Sequence, residues 1–143
     1  MQNNNKLTVT IYSFSYKKGI PADESGNGGG YVFDCRGVLN PGRINEYKTK
    51  TGRDQEVISY LEKETEIHQF LNLIKELTSL SITNYLKRGF SNLQISFGCT
   101  GGQHRSVYSA EKLANFIKEK FDGVNINLIH IEQESKNWVN ETY

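Results

Sequence analysis

Apolar and polar positions alternate at both ends of this chain and recur with a helical period between them. Leu7, Val9 and Ile11 share one side of a segment that reads as a strand over residues 7–15. The same period of two returns in Leu93, Ile95 and Phe97, and Val124 to Ile131 reads as the last strand. Tyr31-Val32-Phe33-Asp34-Cys35 is apolar and bounded by turn residues, which predicts a short buried strand. Asp54 is placed to cap a short helix reaching about Lys63. Thr65 and Glu66, followed by Ile67, Phe70, Leu71, Ile74 and Leu77, open a longer helix that runs to Lys87-Arg88, where Gly89 stops it. Val107, Ala110, Leu113, Ala114, Ile117 and Phe121 mark a third, amphipathic helix.

The resulting order, β–β–α–α–β–α–β, predicts an α/β sandwich around a mixed, partly parallel sheet, formed as a single domain over residues 1–143. Residues 1–6 and 132–143 lack a period and read as loose tails, with Trp138 and Tyr143 as packing residues or an oligomer contact. Two connections stand out. The first, residues 16–30, is centred on Ser25-Gly26-Asn27-Gly28-Gly29-Gly30 and reads as a mobile loop. The second, residues 36–53, carries Arg36, Arg43, Lys48, Lys50 and Arg53 against Glu46. Loops of that length in a small domain are functional or disordered.

Composition narrows the function classes. The apolar share of 36% is low, but seven Phe and eight Tyr supply bulk for a core. The net charge of +1 makes no bulk electrostatic case for nucleic acid. No apolar run approaches membrane-spanning length, and Met1-Gln2-Asn3-Asn4-Asn5-Lys6 does not resemble a signal peptide. With Cys35 and Cys99 as its two cysteines, the chain is expected to be cytoplasmic with reduced thiols. No close Cys or His pair has zinc-like spacing, so neither a metal nor a cofactor is expected.

The chemistry concentrates in Gly98-Cys99-Thr100-Gly101-Gly102-Gln103-His104-Arg105-Ser106, which joins a strand to a helix. Three readings stay open. Anion binding without catalysis uses the paired glycines for close backbone approach. The helix N-terminus adds partial positive charge, Thr100 and Ser106 add hydroxyls, and Arg105 and His104 act as charged donors. Thiol catalysis uses the Cys-x5-Arg spacing of Cys99 and Arg105, as in protein tyrosine phosphatases, with Asp34 as the candidate acid. Gly98 stands where such enzymes usually carry a histidine. The third reading is structural: a tight turn, a small buried Cys99 and an ion-paired Arg105. The run Gly-x4-Gly-Lys-Ser/Thr is absent, which disfavours a nucleotide-hydrolysing P-loop. His68 reads as a surface or capping residue. His130 reads either as a site residue or as a hydrogen-bonded core histidine.

The chain resembles the RapZ C-terminal domain family from about Leu7 to His130. The resemblance rests on Ser13-Phe14-Ser15-Tyr16 with Gly19-Ile20-Pro21, on Tyr31-Val32-Phe33-Asp34-Cys35-Arg36, and on Leu39-Asn40-Pro41. It continues through Thr51-Gly52-Arg53-Asp54 and Thr65-Glu66-Ile67-His68 into Gly98 to Val107. It implies an α/β domain that binds phosphate-like ligands at the glycine loop. In the best-known member the domain binds small regulatory RNAs, responds to glucosamine-6-phosphate and assembles into oligomers. The resemblance does not take in the family's nucleotide-binding kinase-like domain, so ATP or GTP hydrolysis is not expected of these residues. Asn40-Pro41-Gly42 replaces the family's Asn-Pro-His, and Glu132-Gln133-Glu134-Ser135-Lys136 replaces a basic tail. The expectation is a regulatory sensor of a phosphorylated metabolite or nucleotide. Cys99, Thr100, Gly101, Gly102, Gln103, His104, Arg105 and Ser106 would form its cradle, with Asp34, Arg36 and Asn40 contacting the rest of the ligand. The alternatives are an RNA-binding adapter contacting RNA weakly through Arg43, Lys48, Lys50 and Arg53, and a cysteine-dependent phosphatase. A homo-oligomer is a further expectation.

Overall fold

The computed structural model describes residues 6–141. Four strands, β1 (Leu7–Ser15), β2 (Tyr31–Asp34), β3 (Asn92–Cys99) and β4 (Val124–His130), form one sheet in the order β2-β3-β1-β4. Every neighbouring pair runs parallel, which corrects the expectation of a mixed sheet. Residues 16–30 explain the difference. Parallel strands need a crossover of about a dozen residues or more, and this segment is long enough to return the chain to the starting end without reversing the next strand.

Three helices, α1 (Gln55–Glu64), α2 (Ile67–Arg88) and α3 (Arg105–Lys120), follow the predicted periods. Gly89 adopts a left-handed backbone with φ 72° and ends α2, its N–H reaching the Leu86 and Tyr85 carbonyls. Asp54 does not cap α1; its carboxylate turns back to accept from the Thr51 N–H at 2.7 Å. Residues 36–53 are shaped by three 3-10 turns, Cys35–Gly37, Pro41–Arg43 and Asn45–Tyr47. The residues after β4 are not loose throughout. Helix α4 (Ile131–Ser135) packs against β1, and Gln133 is fully buried with both its amide atoms bonded to Asn140. Residues 1–5 of the expected N-terminal tail, and Tyr143, lie outside the described residues.

The two faces of the sheet differ. Val9 and Ile11 pair with Leu93 and Ile95, Phe97 continues the same stripe opposite Ser13, and Leu7, Val9 and Ile11 pair with the partly buried Val124, Ile126 and Leu128. This face packs with Val57, Leu61, Ile67, Leu71, Ile74, Ile82, Leu113 and Ile117 from the helices to form the core. The other face carries Thr8, Thr10, Tyr12, Gln94, Ser96, Asn125 and Asn127. All-parallel sheets usually have both faces covered by apolar layers, and this second face departs from that in being polar. The four strands end together at Ser15, Asp34, Cys99 and His130, the edge at which open parallel sheets place their ligands. Among the described residues no helix is long and apolar enough to cross a membrane.

Candidate anion site

Strand β3 passes into α3 through Thr100–His104. Gly102 is buried, with φ +63°, and a Cβ there would lie 2.9 Å from the Glu132 Cβ and 3.0 Å from the Ser15 nitrogen. Only glycine fits between the end of β1 and α4 in that conformation. Thr100 and Gly101 stay exposed, and Ser15 Oγ donates to the Thr100 carbonyl at 2.6 Å. Helix α3 has no side-chain cap, and the first bond it makes to residues before it is Tyr108 N–H to the His104 carbonyl. Its leading N–H groups therefore remain available to an acceptor outside the helix.

The side chains of the loop do not converge on one point. Gln103 Nε2 donates to the Lys48 and Lys50 carbonyls at 2.7 and 2.8 Å. His104 Nε2 lies 2.7 Å from the Tyr47 carbonyl. A carbonyl only accepts, so Nε2 carries the proton. Burial holds the His104 pKa below its ordinary value, so the ring is neutral near pH 7 and does not act as the charged donor the sequence suggests. Gln103 and His104 thus lash residues 47–52 to the start of α3. Gly52 completes the contact, because a Cβ there would collide with the His104 carbonyl and the Tyr108 nitrogen. Cys99 is buried, and its thiol donates to Ser106 Oγ at 3.1 Å, so the two form an interior pair. Cys35 is also buried, with its thiol pushed up by desolvation.

Arg105 is 4% exposed. Its Nη1 donates to the Arg36 and Val38 carbonyls at 3.0 and 2.7 Å, and its Nε has no acceptor among the described residues. Among those residues no carboxylate forms an ion pair with it. A buried charge without a hydrogen-bonded ion pair is costly. Arg105 borders a cleft of about 360 Å³ shared with Arg36, Asn40, Arg43, Glu64 and Glu66. Asp34 lies near enough for the Arg105 charge to act on its carboxyl, but it forms no hydrogen bond to Arg105, because both its oxygens hold Arg36, at 2.9 Å to Nε and 2.8 Å to Nη2. Those bonds, foremost, keep the Asp34 carboxyl below its ordinary pKa. Arg36 also stacks 3.8 Å above the Tyr16 ring. Asn40 accepts from the Gly42 N–H and caps the turn Pro41–Arg43.

The structure therefore gathers Arg36, Asn40, Arg43 and Arg105 around the cleft and places Asp34 beside it. Gln103 and His104 go to the 47–52 segment, and Lys50 and Arg53 to ion pairs with Glu56 at 2.5 Å and Glu111 at 3.0 Å. Ser13, Ser15 and Glu111 belong to the same end of the sheet and went unrecognised in the sequence. Ser13 Oγ sits 2.6 Å from His130 Nδ1, and His130 Nε2 sits 2.7 Å from Glu111 Oε2. Trp138 lies edge-on to His130 and beneath Arg53. The signal was present: Ser13, Ser15 and His130 continue the buried stripes of β1 and β4 as polar residues. Among the described residues no group of three or more His, Cys, Asp or Glu is placed to hold a metal.

The sequence profile of the RapZ C-terminal domain matches residues 7–134. The chain belongs to that family. It is 43% identical over 121 residues to a nucleotide-binding protein of Endomicrobium trichonymphae, covering 85% of this chain and 40% of that protein. It is 39% identical over 135 residues to a nucleotide-binding protein of Clostridium kluyveri, covering 94% and 44%. A nucleotide-binding protein of Bacillus licheniformis is 44% identical over 115 residues, covering 80% and 37%. The chain thus spans less than half the length of these relatives.

Proposed function

We propose that this domain of the RapZ C-terminal family binds a small phosphorylated molecule, a metabolite or nucleotide, at the C-terminal edge of its sheet. The observation that carries this reading is Arg105, a buried guanidinium with an unpartnered Nε and no ion pair among the described residues. A phosphate beside it supplies that ion pair and accepts from the uncapped start of α3. Arg43, Arg36 and Asn40 line the space for the rest of the ligand. The names of the relatives support a nucleotide among the candidates. Binding without turnover fits a sensor, since Cys99 is buried and bonded to Ser106 rather than poised to attack phosphorus. Calorimetry with inorganic phosphate, sugar phosphates and nucleotides tests the proposal. Loss of one charge-assisted contact costs about 1.5–3 kcal/mol, so Arg105→Ala should bind at least about tenfold more weakly. Equal affinities in wild type and in a folded Arg105→Ala variant would overturn it.

A further inference from the structure

The polar face of the sheet holds a second cavity, far in character from the arginine cleft. It measures about 260 Å³, below the ~300 Å³ at which pockets for drug-sized ligands begin. Thr8, Thr10 and Tyr12 from β1, Gln94 from β3 and Asn127 from β4 form its floor, and Asp23 and Glu24 form its wall. The ladder aligns Thr10 with both Gln94 and Asn127, so a hydroxyl sits between two amides across three strands. The wall is ordered from within. Asp23 accepts from the N–H groups of Ser25, Asn27 and Gly29 and from the Ser25 hydroxyl, so the segment expected to be a mobile loop is tied to one carboxylate.

Two polar side chains on this face make no hydrogen bond among the described residues, and the hydroxyl of one, Ser96, is fully buried. Gln94 is 7% exposed and borders the cavity, yet its side-chain amide makes no hydrogen bond among the described residues. Ser96 lies two residues along the same face, level with Tyr12, and its hydroxyl is buried and unpartnered. No lysine or arginine borders the cavity, so it offers a phosphate no side-chain cation, while Asp23 and Glu24 repel one. Its donors and acceptors are neutral hydroxyls and amides, each able to pair with a group that both donates and accepts. The phenol of Tyr12 stays protonated, raised chiefly by burial and then by Glu24 and Asp23, and its ring offers an apolar face. Asp23 is committed to its own loop, which leaves Glu24 as the carboxylate facing a ligand.

We infer that this cavity is a binding site for a neutral polyhydroxylated molecule the size of one sugar ring, with Gln94 and Asn127 reading its hydroxyls and Tyr12 beneath the ring. The inference is independent of the phosphate site, which lies at the strand ends.

An amide NMR titration of the whole 143-residue chain tests it, with D-glucose and cellobiose as probes and spermidine and inorganic phosphate as charged comparators. Saturable shifts at Thr8, Thr10, Tyr12, Gln94 and Asn127 with a saccharide, and none there with phosphate, are the expected result. Gln94→Leu should weaken saccharide binding at least tenfold. Asn127→Leu, at an exposed position, serves if Gln94→Leu does not fold. No saturable response to either saccharide, shifts centred on residues 99–106 instead, a stronger response to spermidine, or full affinity in the folded variant would each overturn the assignment.

Discussion

At the scale of single residues, this domain places unlike demands on neighbouring positions of one loop. Arg105 carries a charge into the interior and spends two N–H groups on the Arg36 and Val38 carbonyls, leaving Nε for something else. His104, one residue earlier, is neutral and serves only the 47–52 segment. Gly102 makes both arrangements possible by letting the chain turn against Ser15 and Glu132. A left-handed backbone costs an L-residue roughly 1–2 kcal/mol, and the added methyl must also displace Glu132 or the β1 backbone. Gly102→Ala should therefore lower stability by at least about 1–2 kcal/mol in a urea unfolding curve. Gly101, exposed and with open space around its Cα, should accept alanine with little change. Equal midpoints for the two variants would show that the loop can relax.

At the scale of elements, a buried polar line ties the C-terminal segment to the sheet. It runs from Ser13 on β1 through His130 at the end of β4 to Glu111 on α3, where Arg53 joins it above Trp138. The His130 hydrogen bond, first, and then Arg53 hold the Glu111 carboxyl below its ordinary value of 4.5. A carboxylate whose pKa is lower folded than unfolded contributes stability that is fully present above the unfolded value and lost as pH falls through the folded one. The stabilisation from Glu111 should thus be complete at neutral pH and decline below about pH 4.5. Glu111→Gln should cost about 1–3 kcal/mol at pH 7, where His130 and Arg53 lose a charged acceptor, and less as the pH approaches 3. Thermal melts of both proteins between pH 3 and about pH 7 measure this. A stability difference that grows toward acid would contradict it.

At the scale of the whole molecule, charge decides between partners. The chain carries a net charge of +1, and two of the four loop cations considered for RNA are engaged in ion pairs at the surface, Lys50 with Glu56 and Arg53 with Glu111. Non-specific affinity for nucleic acid comes from neutralised phosphates, and log K falls with log salt by about 0.9 per phosphate on duplex DNA and ~0.7 on single strands. A titration against structured RNA should show weak binding at low salt that disappears near physiological ionic strength. Tight binding that survives physiological salt would put the adapter reading ahead of the small-molecule one, with assembly of several copies as the means of raising affinity.

Local pattern was enough for the strands and the long helices, though not for helix α4. Alternation predicted β1, β3 and β4, the helical period predicted α2 and α3, and Gly89 marked the stop of α2, because each depends on residues a few positions apart. Residues 99–106 were legible as a turn into a helix for the same reason, since glycines and the helix start are neighbours in the chain. Strand direction was not legible. It depends on which strand β3 inserts between, a choice made by core packing across the whole chain. The destinations of Gln103 and His104 were equally hidden, because the carbonyls that receive them lie 53 to 57 residues away in sequence. The same holds for the ends of the Ser13–His130–Glu111 line and for the unpartnered Gln94. Sequence by itself determined the strands and the long helices, but not helix α4, whose residues carry no period of their own. Tertiary structure alone decided which polar groups meet, because a hydrogen bond is a matter of ångströms between atoms that only the finished packing brings together.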